Sequence, residues 1–294
     1  MPINHCVVVI KQTALATGGR AAQFARKGDA TGRRIIQADA EHQHTVDAVR
    51  AALAKKRITF AEASLQQMNA ATKRRIRAAD FVVTIGGDGT VLGSSHYVMN
   101  GSLLGVNSAP DDSVGHFCHS NRKTFARQLD DILAARWLPA ELARMQITLD
   151  DQPLPELALN DVLIAHDCPA ATTRYLIQCG DHEEEQRSSG IWISTPAGST
   201  AAIHSAGGRV MSKRSRRLQY LVRELYREPG HSYQLTRGWI EPDEAIVIAS
   251  KMPQAHLYID GFRTAYQLPF GARAAIRLAQ SGLKIFLTQG SSGS

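Results

Sequence analysis

Residues 81–90 read FVVTIGGDGT, and this stretch decides the fold class. Phe81 to Ile85 predicts a short buried strand that ends abruptly in Gly86-Gly87-Asp88-Gly89. Glycines in such a turn let the backbone bend sharply and approach a ligand closely. The helix that follows is predicted over Thr90 to Met99. A strand, a glycine turn and a helix in this order are typical of parallel βαβ units.

The same alternation of strands and helices extends through the N-terminal part of the chain. Strands are predicted at His5–Ile10, Ile58–Phe60 and Leu103–Val106, and helices at Thr45–Lys56 and Leu65–Ala79. We therefore expect a Rossmann-like α/β domain over residues 1–135.

Short strands separated by Gly, Asp and Pro predict a different architecture in the C-terminal part. They are expected at Leu142–Leu149, Leu157–Ile164, Tyr175–Cys179, Ile191–Ser194, Ala245–Ala249, His256–Ile259, Ala272–Leu278 and Leu283–Leu287. We expect an antiparallel β-rich domain over residues 136–288 and a flexible tail over residues 289–294. The fold class is thus α/β followed by all-β.

Composition narrows the function classes. With 44% hydrophobic and 21% charged residues, the chain has an ordinary globular composition. No apolar run reaches the roughly 18 residues of a membrane helix, so no membrane role is expected. A net charge of +7 favours anionic partners. The basic run Lys213–Arg217 lacks interleaved aromatic residues, which argues against nucleic-acid binding. The cysteines form no CxxC pair, as expected of a reduced cytoplasmic protein.

The glycine turn carries the strongest chemical signal. A turn that leads into a helix N-terminus presents free N–H groups to an anion, most often phosphate. Asp88 is unexpected in such a loop, because a carboxylate repels phosphate. It suits a group that handles a hydroxyl or a metal beside the phosphate, as in phosphoryl transfer. The alternative is an ordinary strand-to-helix turn with Asp88 as the N-cap.

Two further motifs are candidates for a nucleotide site. Ser194–Ala202 reads STPAGSTAA, and its hydroxyl groups and loop N–H groups suit the polar edges of a nucleotide; the alternative is a capped helix start. Asn160-Asp161 lies inside a predicted buried strand, where polar side chains need hydrogen-bond partners. The alternative is that it marks a strand end or turn.

Asp260-Gly261 is predicted first as a hairpin turn, with a metal role for Asp260 as the alternative.

These motifs, in this order and approximate spacing, resemble those of NAD kinases from about residue 5 to residue 288. The GGDGT loop is shared with diacylglycerol and sphingosine kinases, whereas STPAGST followed by Ser205-Ala206-Gly207-Gly208 is more particular to NAD kinases. The stretches Gly105–Asn107, Val114–Cys118, Ala158–Val162 and Arg187–Gly190 are similar to the mitochondrial-type branch.

The resemblance implies a kinase that transfers the ATP γ-phosphoryl group to the adenosine-ribose 2′-hydroxyl of NAD, giving NADP. Asp88 would activate or orient that hydroxyl. The phosphates would lie beside Gly86, Gly87, Gly89 and Thr90. NAD would be bound by His116, Phe117, Asn160, Asp161, Ser189, Thr195, Thr200, Ala201 and Ser205.

The resemblance also implies Mg²⁺ carried with ATP, no tightly bound organic cofactor and a homodimer or homotetramer. The sequence itself assigns no metal ligand, and it leaves open ATP or polyphosphate as donor and NAD or NADH as acceptor. Ser189 stands where most bacterial members have Asp, and Ala202 where they have a stacking Tyr. The alternatives are a GGDGT-type lipid kinase and a catalytically weakened NAD(P)-binding regulatory protein.

Overall fold

The structure is a computed structural model that describes residues 3–110 and 115–288. Contacts divide the chain into two units: residues up to Glu141 together with those from Lys284 onward, and residues 142–283. Val114 and the predicted tail at 289–294 lie outside the described residues.

The first unit is built on a sheet whose middle strands are parallel. Its strands before residue 143 are β1 Cys6–Ile10, β2 Phe60–Ser64, β3 Phe81–Gly86, β4 Ser102–Asn107, β5 Ser120–Asn121 and β6 Ala140–Leu142. Every residue of β3 and β4 is buried, as expected of parallel strands that are covered on both faces. The apolar core of this unit includes Val8, Val83 and Leu104, so the predicted α/β architecture is confirmed.

Helices accompany this sheet. They are α1 Ala14–Thr17, α2 Gly19–Lys27, α3 Ala30–Lys55, α4 Ala70–Ala78, α5 Asp88–Ser95 and α6 Phe125–Leu133. The predicted helix at residues 45–56 is only the C-terminal half of α3. The longer helix begins after Asp29, whose side chain accepts a hydrogen bond from the Gly32 N–H at 2.7 Å. The prediction missed the first half because residues 30–44 lack a regular apolar stripe.

The second unit consists of two sheets that enclose one apolar core. Its strands are β7 Met145–Leu149, β8 Gln152–Ala158, β9 Asp161–His166, β10 Thr173–Cys179, β11 His182–Ser188, β12 Ile191–Ser194, β13 Leu218–Val222, β14 Arg237–Ile240, β15 Ala245–Ser250, β16 Ala255–Ile259, β17 Thr264–Gln267 and β18 Arg273–Leu278. One sheet has the order β11-β10-β15-β18-β7-β8 and the other β14-β13-β12-β9-β16-β17. Alternate residues of these antiparallel strands form the core. The predicted β-rich architecture is therefore confirmed.

Several expected strands differ from the observed ones in their bounds, and two of these differences affect the architecture. The stretch 157–164 is not one strand, because β8 ends at Ala158 and β9 begins at Asp161. The last strand, β19 Leu283–Ile285, pairs in parallel with β4 of the first sheet. Phe286 follows it into the first core, edge-on to Phe81 at 6.0 Å. The expected β-rich domain of residues 136–288 thus includes a strand that belongs with the first sheet.

Among the described residues, none of the helices combines the length and apolarity that a bilayer span requires.

Candidate active site

The glycine turn lies where β3 ends and α5 begins. A Cβ built on Gly86 would stand 2.2 Å from the Thr90 hydroxyl and 3.0 Å from the Lys11 Cβ, so only glycine fits between them. Helix α5 starts at Asp88, and its N-cap, Gly87, makes no side-chain capping bond. The Thr90 side chain is 3% exposed. The turn therefore presents backbone rather than side chains at the start of the helix.

Asp88 does not serve as the helix N-cap, contrary to the simpler of the two sequence interpretations. Its Oδ2 accepts a hydrogen bond from the His116 N–H at 2.8 Å, and its Oδ1 accepts one from the Phe117 N–H at 2.8 Å. Each carboxylate oxygen can accept a further hydrogen bond. Because Asp88 is only partly buried, its carboxylate is both fixed in direction and reachable by a ligand.

The segment that holds Asp88 brings other predicted residues to the same place. The Phe117 side chain is 5% exposed and packs inward, whereas His116 is exposed. Cys118 follows them, and burial together with the nearby Asp88 carboxylate raises the pKa of its thiol to about 12. The thiol therefore stays protonated at neutral pH and does not add a second negative charge beside Asp88.

His42, on α3, is a residue of this unit that the sequence gave no reason to select. It is 3% exposed, and its Nδ1 lies 2.9 Å from the Ser108 hydroxyl. Burial and the nearby Lys11 charge lower its pKa, while a hydrogen bond to the Lys11 backbone opposes that shift. The Ser108 N–H donates to the Gly86 carbonyl at 3.0 Å, and the Lys11 N–H to the Ile85 carbonyl at 2.9 Å. His42 thus fixes the two segments that flank the glycine turn.

The second unit contains a matching arrangement around Asp260. The Asp260 carboxylate accepts hydrogen bonds from the N–H groups of Leu159, Asn160 and Asp161 at 2.8, 2.7 and 3.0 Å. These bonds turn the chain between β8 and β9, which is why the predicted continuous strand is interrupted. Asp260 itself has φ of +50°. The turn was predicted as one alternative for Asn160-Asp161. For Asp260 a hairpin turn or a metal role was predicted, and its role as a hydrogen-bond acceptor was not.

The STPAGST segment packs directly on this turn. The Thr195 N–H donates to the Asn160 carbonyl at 3.0 Å, and the Thr195 hydroxyl donates to the Leu159 carbonyl at 2.6 Å. A Cβ on Gly198 would lie 2.0 Å from the Asn160 carbonyl oxygen. Thr195 is fully buried, so its hydroxyl holds the two segments together, while Thr200 and Ser205 are exposed. The helix that follows is α7 Ala202–Ser205, with Ala201 immediately before it.

Asp161 has the most perturbed carboxyl of this group. Its side chain is 6% exposed, and burial followed by the Asp260 charge raises its pKa to about 7. Asp161 and Ser189 line a cavity of about 430 Å³ whose other walls include Trp192 and Tyr258. A protonated Asp161 can donate a hydrogen bond into that cavity, which an ionised carboxylate cannot.

The structure thus brings the predicted residues together in two groups. One group, in the first unit, comprises Gly86, Gly87, Asp88, Gly89, Thr90, His116 and Phe117. The other, in the second unit, comprises Asn160, Asp161, Ser189, Thr195, Thr200, Ala201 and Ser205. Within residues 3–110 and 115–288, no group of three or more His, Cys, Asp or Glu side chains could hold a metal ion.

Comparisons with known proteins show the family of this chain. The chain matches the ATP-NAD kinase N-terminal domain family over residues 22–137. It is 32% identical over 271 residues to the probable NADH kinase of Oryza sativa, covering 84% of this chain and 82% of that protein. It is 34% identical over 279 residues to the NADH kinase of Arabidopsis thaliana, covering 85% and 84%. The chain belongs to the NAD kinase family.

Solved structures of this family show the same fold. An NAD kinase from Archaeoglobus fulgidus in complex with ATP aligns with a TM-score of 0.66 at 19% identity, covering 97% of this chain and 94% of that one. Yeast NADH kinase complexed with NADH aligns with a TM-score of 0.72 at 15% identity, covering 99% and 85%. As an NAD kinase family member, the protein is an ATP-dependent phosphotransferase. Neither the lipid-kinase nor the regulatory-protein alternative is favoured.

Proposed function

We propose that the protein transfers the γ-phosphoryl group of ATP to the adenosine-ribose 2′-hydroxyl of NAD or NADH, giving NADP or NADPH and ADP. The observation that carries this proposal is the Asp88 carboxylate, held by the His116 and Phe117 N–H groups beside the glycine turn. A fixed carboxylate next to a phosphate-binding backbone is what an attacking hydroxyl requires.

Asp88 orients the acceptor in this reaction. One carboxylate oxygen accepts the hydrogen bond of the 2′-hydroxyl, whose oxygen attacks the γ-phosphorus in line with the bond to the leaving ADP oxygen. The P–O bond to ADP breaks as the new P–O bond forms, and the hydroxyl proton passes to Asp88. The phosphates lie beside Gly86, Gly87, Gly89 and Thr90, where the N–H groups left free at the start of α5 stabilise them. No covalent enzyme intermediate is formed.

The second group of residues binds the dinucleotide. Asn160 and Asp161 hold the adenosine part, with the protonated Asp161 as hydrogen-bond donor. Ser189 lines the same cavity as Asp161, and Thr200, Ala201 and Ser205 offer polar and small surfaces to the dinucleotide. The buried Thr195 acts indirectly, since it fixes the Asn160 turn. His116 contacts substrate from its exposed position.

A divalent ion fits this site as part of the nucleotide. Mg²⁺ prefers oxygen ligands and is usually held by one or two carboxylates plus substrate phosphates. Asp88 offers one partly exposed carboxylate beside the glycine turn, which suits an ion carried mainly by ATP. When bound, the ion neutralises charge on the phosphates.

We further propose that the protein is cytoplasmic, which its free cysteines suit, and that it forms a homodimer or homotetramer.

NADH is proposed to be at least as good an acceptor as NAD. The support comes from two relatives matched over most of their length, the probable NADH kinase of Oryza sativa and the NADH kinase of Arabidopsis thaliana. The test is to offer ATP or polyphosphate as donor, and NAD or NADH as acceptor, in separate reactions and to measure the 2′-phosphorylated product. Product from ATP that forms with NADH at least as fast as with NAD supports the proposal. ATP consumption without such a product, or phosphorylation of diacylglycerol instead, contradicts it.

A further inference from the structure

The turn between β11 and β12 carries the chain from one sheet of the second unit to the other. It consists of Ser189 and Gly190, and Ser189 lines the cavity of about 430 Å³ together with Asp161 and Arg223. The Ser189 N–H donates to the Arg223 carbonyl at 2.9 Å, and the Arg223 N–H donates to the Gly190 carbonyl at 2.8 Å. The position of this turn therefore sets two residues of the cavity wall.

A chain of hydrogen bonds holds this turn from the interior of the second unit. The Gly190 N–H donates to the Ser188 hydroxyl at 3.0 Å, and that hydroxyl lies 2.9 Å from the Tyr175 hydroxyl. The Tyr175 hydroxyl donates to Gln186 Oε1 at 3.2 Å, so the Ser188 hydroxyl donates to Tyr175. The Gln186 amide group donates to the Leu235 carbonyl at 3.1 Å. The chain of donors thus runs without interruption from the turn to Leu235.

Burial makes this chain sensitive to the loss of a single hydroxyl. Tyr175 is fully buried, and Ser188 is 4% exposed. A buried polar group that loses its partner keeps the cost of its desolvation, and linked hydrogen bonds strengthen one another. The turn also passes close to β9, because a Cβ on Gly190 would stand 2.5 Å from the Ile164 carbonyl oxygen. The turn is therefore held between β9 and the two hydroxyls.

We infer that Tyr175 and Ser188 are positioning residues for dinucleotide binding, because their hydroxyls hold the turn that places Ser189 and Arg223 on the cavity wall. Both act through that turn, since neither of them lines the cavity. The inference rests on the proposed function where it names NAD or NADH as the ligand of the cavity. It predicts an effect on the dinucleotide and not on ATP, since the glycine turn belongs to the first unit.

The test uses Tyr175→Phe, Ser188→Ala and the double variant. Tyr220→Phe is the matched control, because it removes a tyrosine hydroxyl from the same apolar core. The Tyr220 hydroxyl takes no part in the hydrogen bonds that run from Gly190 to Leu235. NADH binding is measured by the fluorescence of its reduced nicotinamide ring, and kcat and the KM values for NADH and ATP by product formation. Thermal unfolding verifies that each variant is folded.

The single variants should separate the two substrates. We expect Ser188→Ala to bind NADH about tenfold more weakly than the wild type, with an equal rise in KM for NADH. Tyr175→Phe should have a smaller effect, about threefold, because the Ser188 hydroxyl can then donate to the Gly190 carbonyl at 3.2 Å. KM for ATP and kcat should stay within about twofold of the wild type, as should every constant of Tyr220→Phe. A merely structural role would lower the melting temperature without this separation of the KM values.

The double variant shows whether the two hydroxyls act through one chain. Its loss of NADH affinity should equal that of Ser188→Ala alone, because Tyr175 reaches the turn through Ser188. A loss equal to the product of the two single effects would overturn the inference, as would unchanged NADH affinity in folded variants of an active enzyme. If the wild type and variants bind NADH in the expected order but no phosphorylated NAD or NADH is formed, the positioning role stands and the proposed function fails.

Discussion

Replacement of Asp161 by Asn tests whether burial keeps this carboxyl protonated near neutral pH. The side chain is 6% exposed, close to the Asp260 carboxylate, and its pKa is raised from 3.8 to about 7. A raised pKa means that the folded state binds the proton more tightly than the unfolded state. This contribution is fully present below about pH 4 and is lost as the pH rises through 7.

The expected size follows from the shift. A pKa difference of about 3 units corresponds to about 4 kcal/mol, since one unit is about 1.4 kcal/mol. Asn is neutral at every pH and matches the shape of the protonated acid. The Asp161→Asn protein should therefore be more stable than the wild type by up to about 4 kcal/mol near pH 8, and the difference should vanish near pH 4.

The assay is urea unfolding of both proteins between about pH 4 and pH 8. The matched control is Asp181→Asn, which removes an exposed carboxyl in the turn between β10 and β11 and should leave the pH dependence unchanged. If Asp161→Asn shows the same pH dependence as the wild type, the carboxyl is ionised in the folded protein. Burial would then not keep the carboxyl protonated, and the proposed donor role of Asp161 would be excluded.

Three further substitutions test Asp88 itself and the contacts that hold the segments around the glycine turn and around Asn160. Asp88→Asn should lower kcat by about 10²–10⁴-fold, because the amide is a poor proton acceptor; unchanged NADP formation in a folded variant would exclude the proposed role. Gly198→Ala should destabilise the protein by about 1–3 kcal/mol in urea unfolding, since its Cβ would lie 2.0 Å from the Asn160 carbonyl oxygen. Gly93→Ala is its control, because that Cβ meets only the flexible side chain of Leu65, and an equal cost for both would contradict the argument. His42→Ala should raise KM for ATP, because it removes the contact with the Ser108 hydroxyl. His42→Gln should have a smaller effect on KM. An unchanged KM in His42→Ala would show that the segments flanking the glycine turn do not need the imidazole.

The sequence predicted the parts of the fold that depend on local patterns. The strand that ends in the glycine turn has a continuous apolar run, and β3 is observed at Phe81–Gly86. The first half of α3 was missed, because a long helix can be held by packing and an N-cap without a regular apolar stripe. The position of β19 could not be predicted either, since its pairing with β4 joins residues far apart in the chain.

The candidate site shows the same limit more sharply. Local motifs selected Asp88 and Asn160-Asp161. Hydrogen bonds between residues far apart in the chain fix these side chains and segments. The His116 N–H donates to Asp88 over a separation of 28 residues, and the Asn160 N–H donates to Asp260 over a separation of 100 residues. A single sequence carries no signal for such pairs. Asp260 was therefore predicted first as a turn residue, although its carboxylate holds the turn that presents Asn160 and Asp161.

The proposed reaction transfers a phosphoryl group directly from ATP to the dinucleotide beside Asp88. The most direct measurement is ³¹P NMR of the purified protein with ATP, Mg²⁺ and NAD or NADH. We expect a new phosphomonoester signal of the ribose 2′-phosphate that grows in equal amount with ADP, and its loss in the Asp88→Asn protein. ADP formed together with inorganic phosphate only, or a monoester signal that persists without the carboxylate, would contradict it.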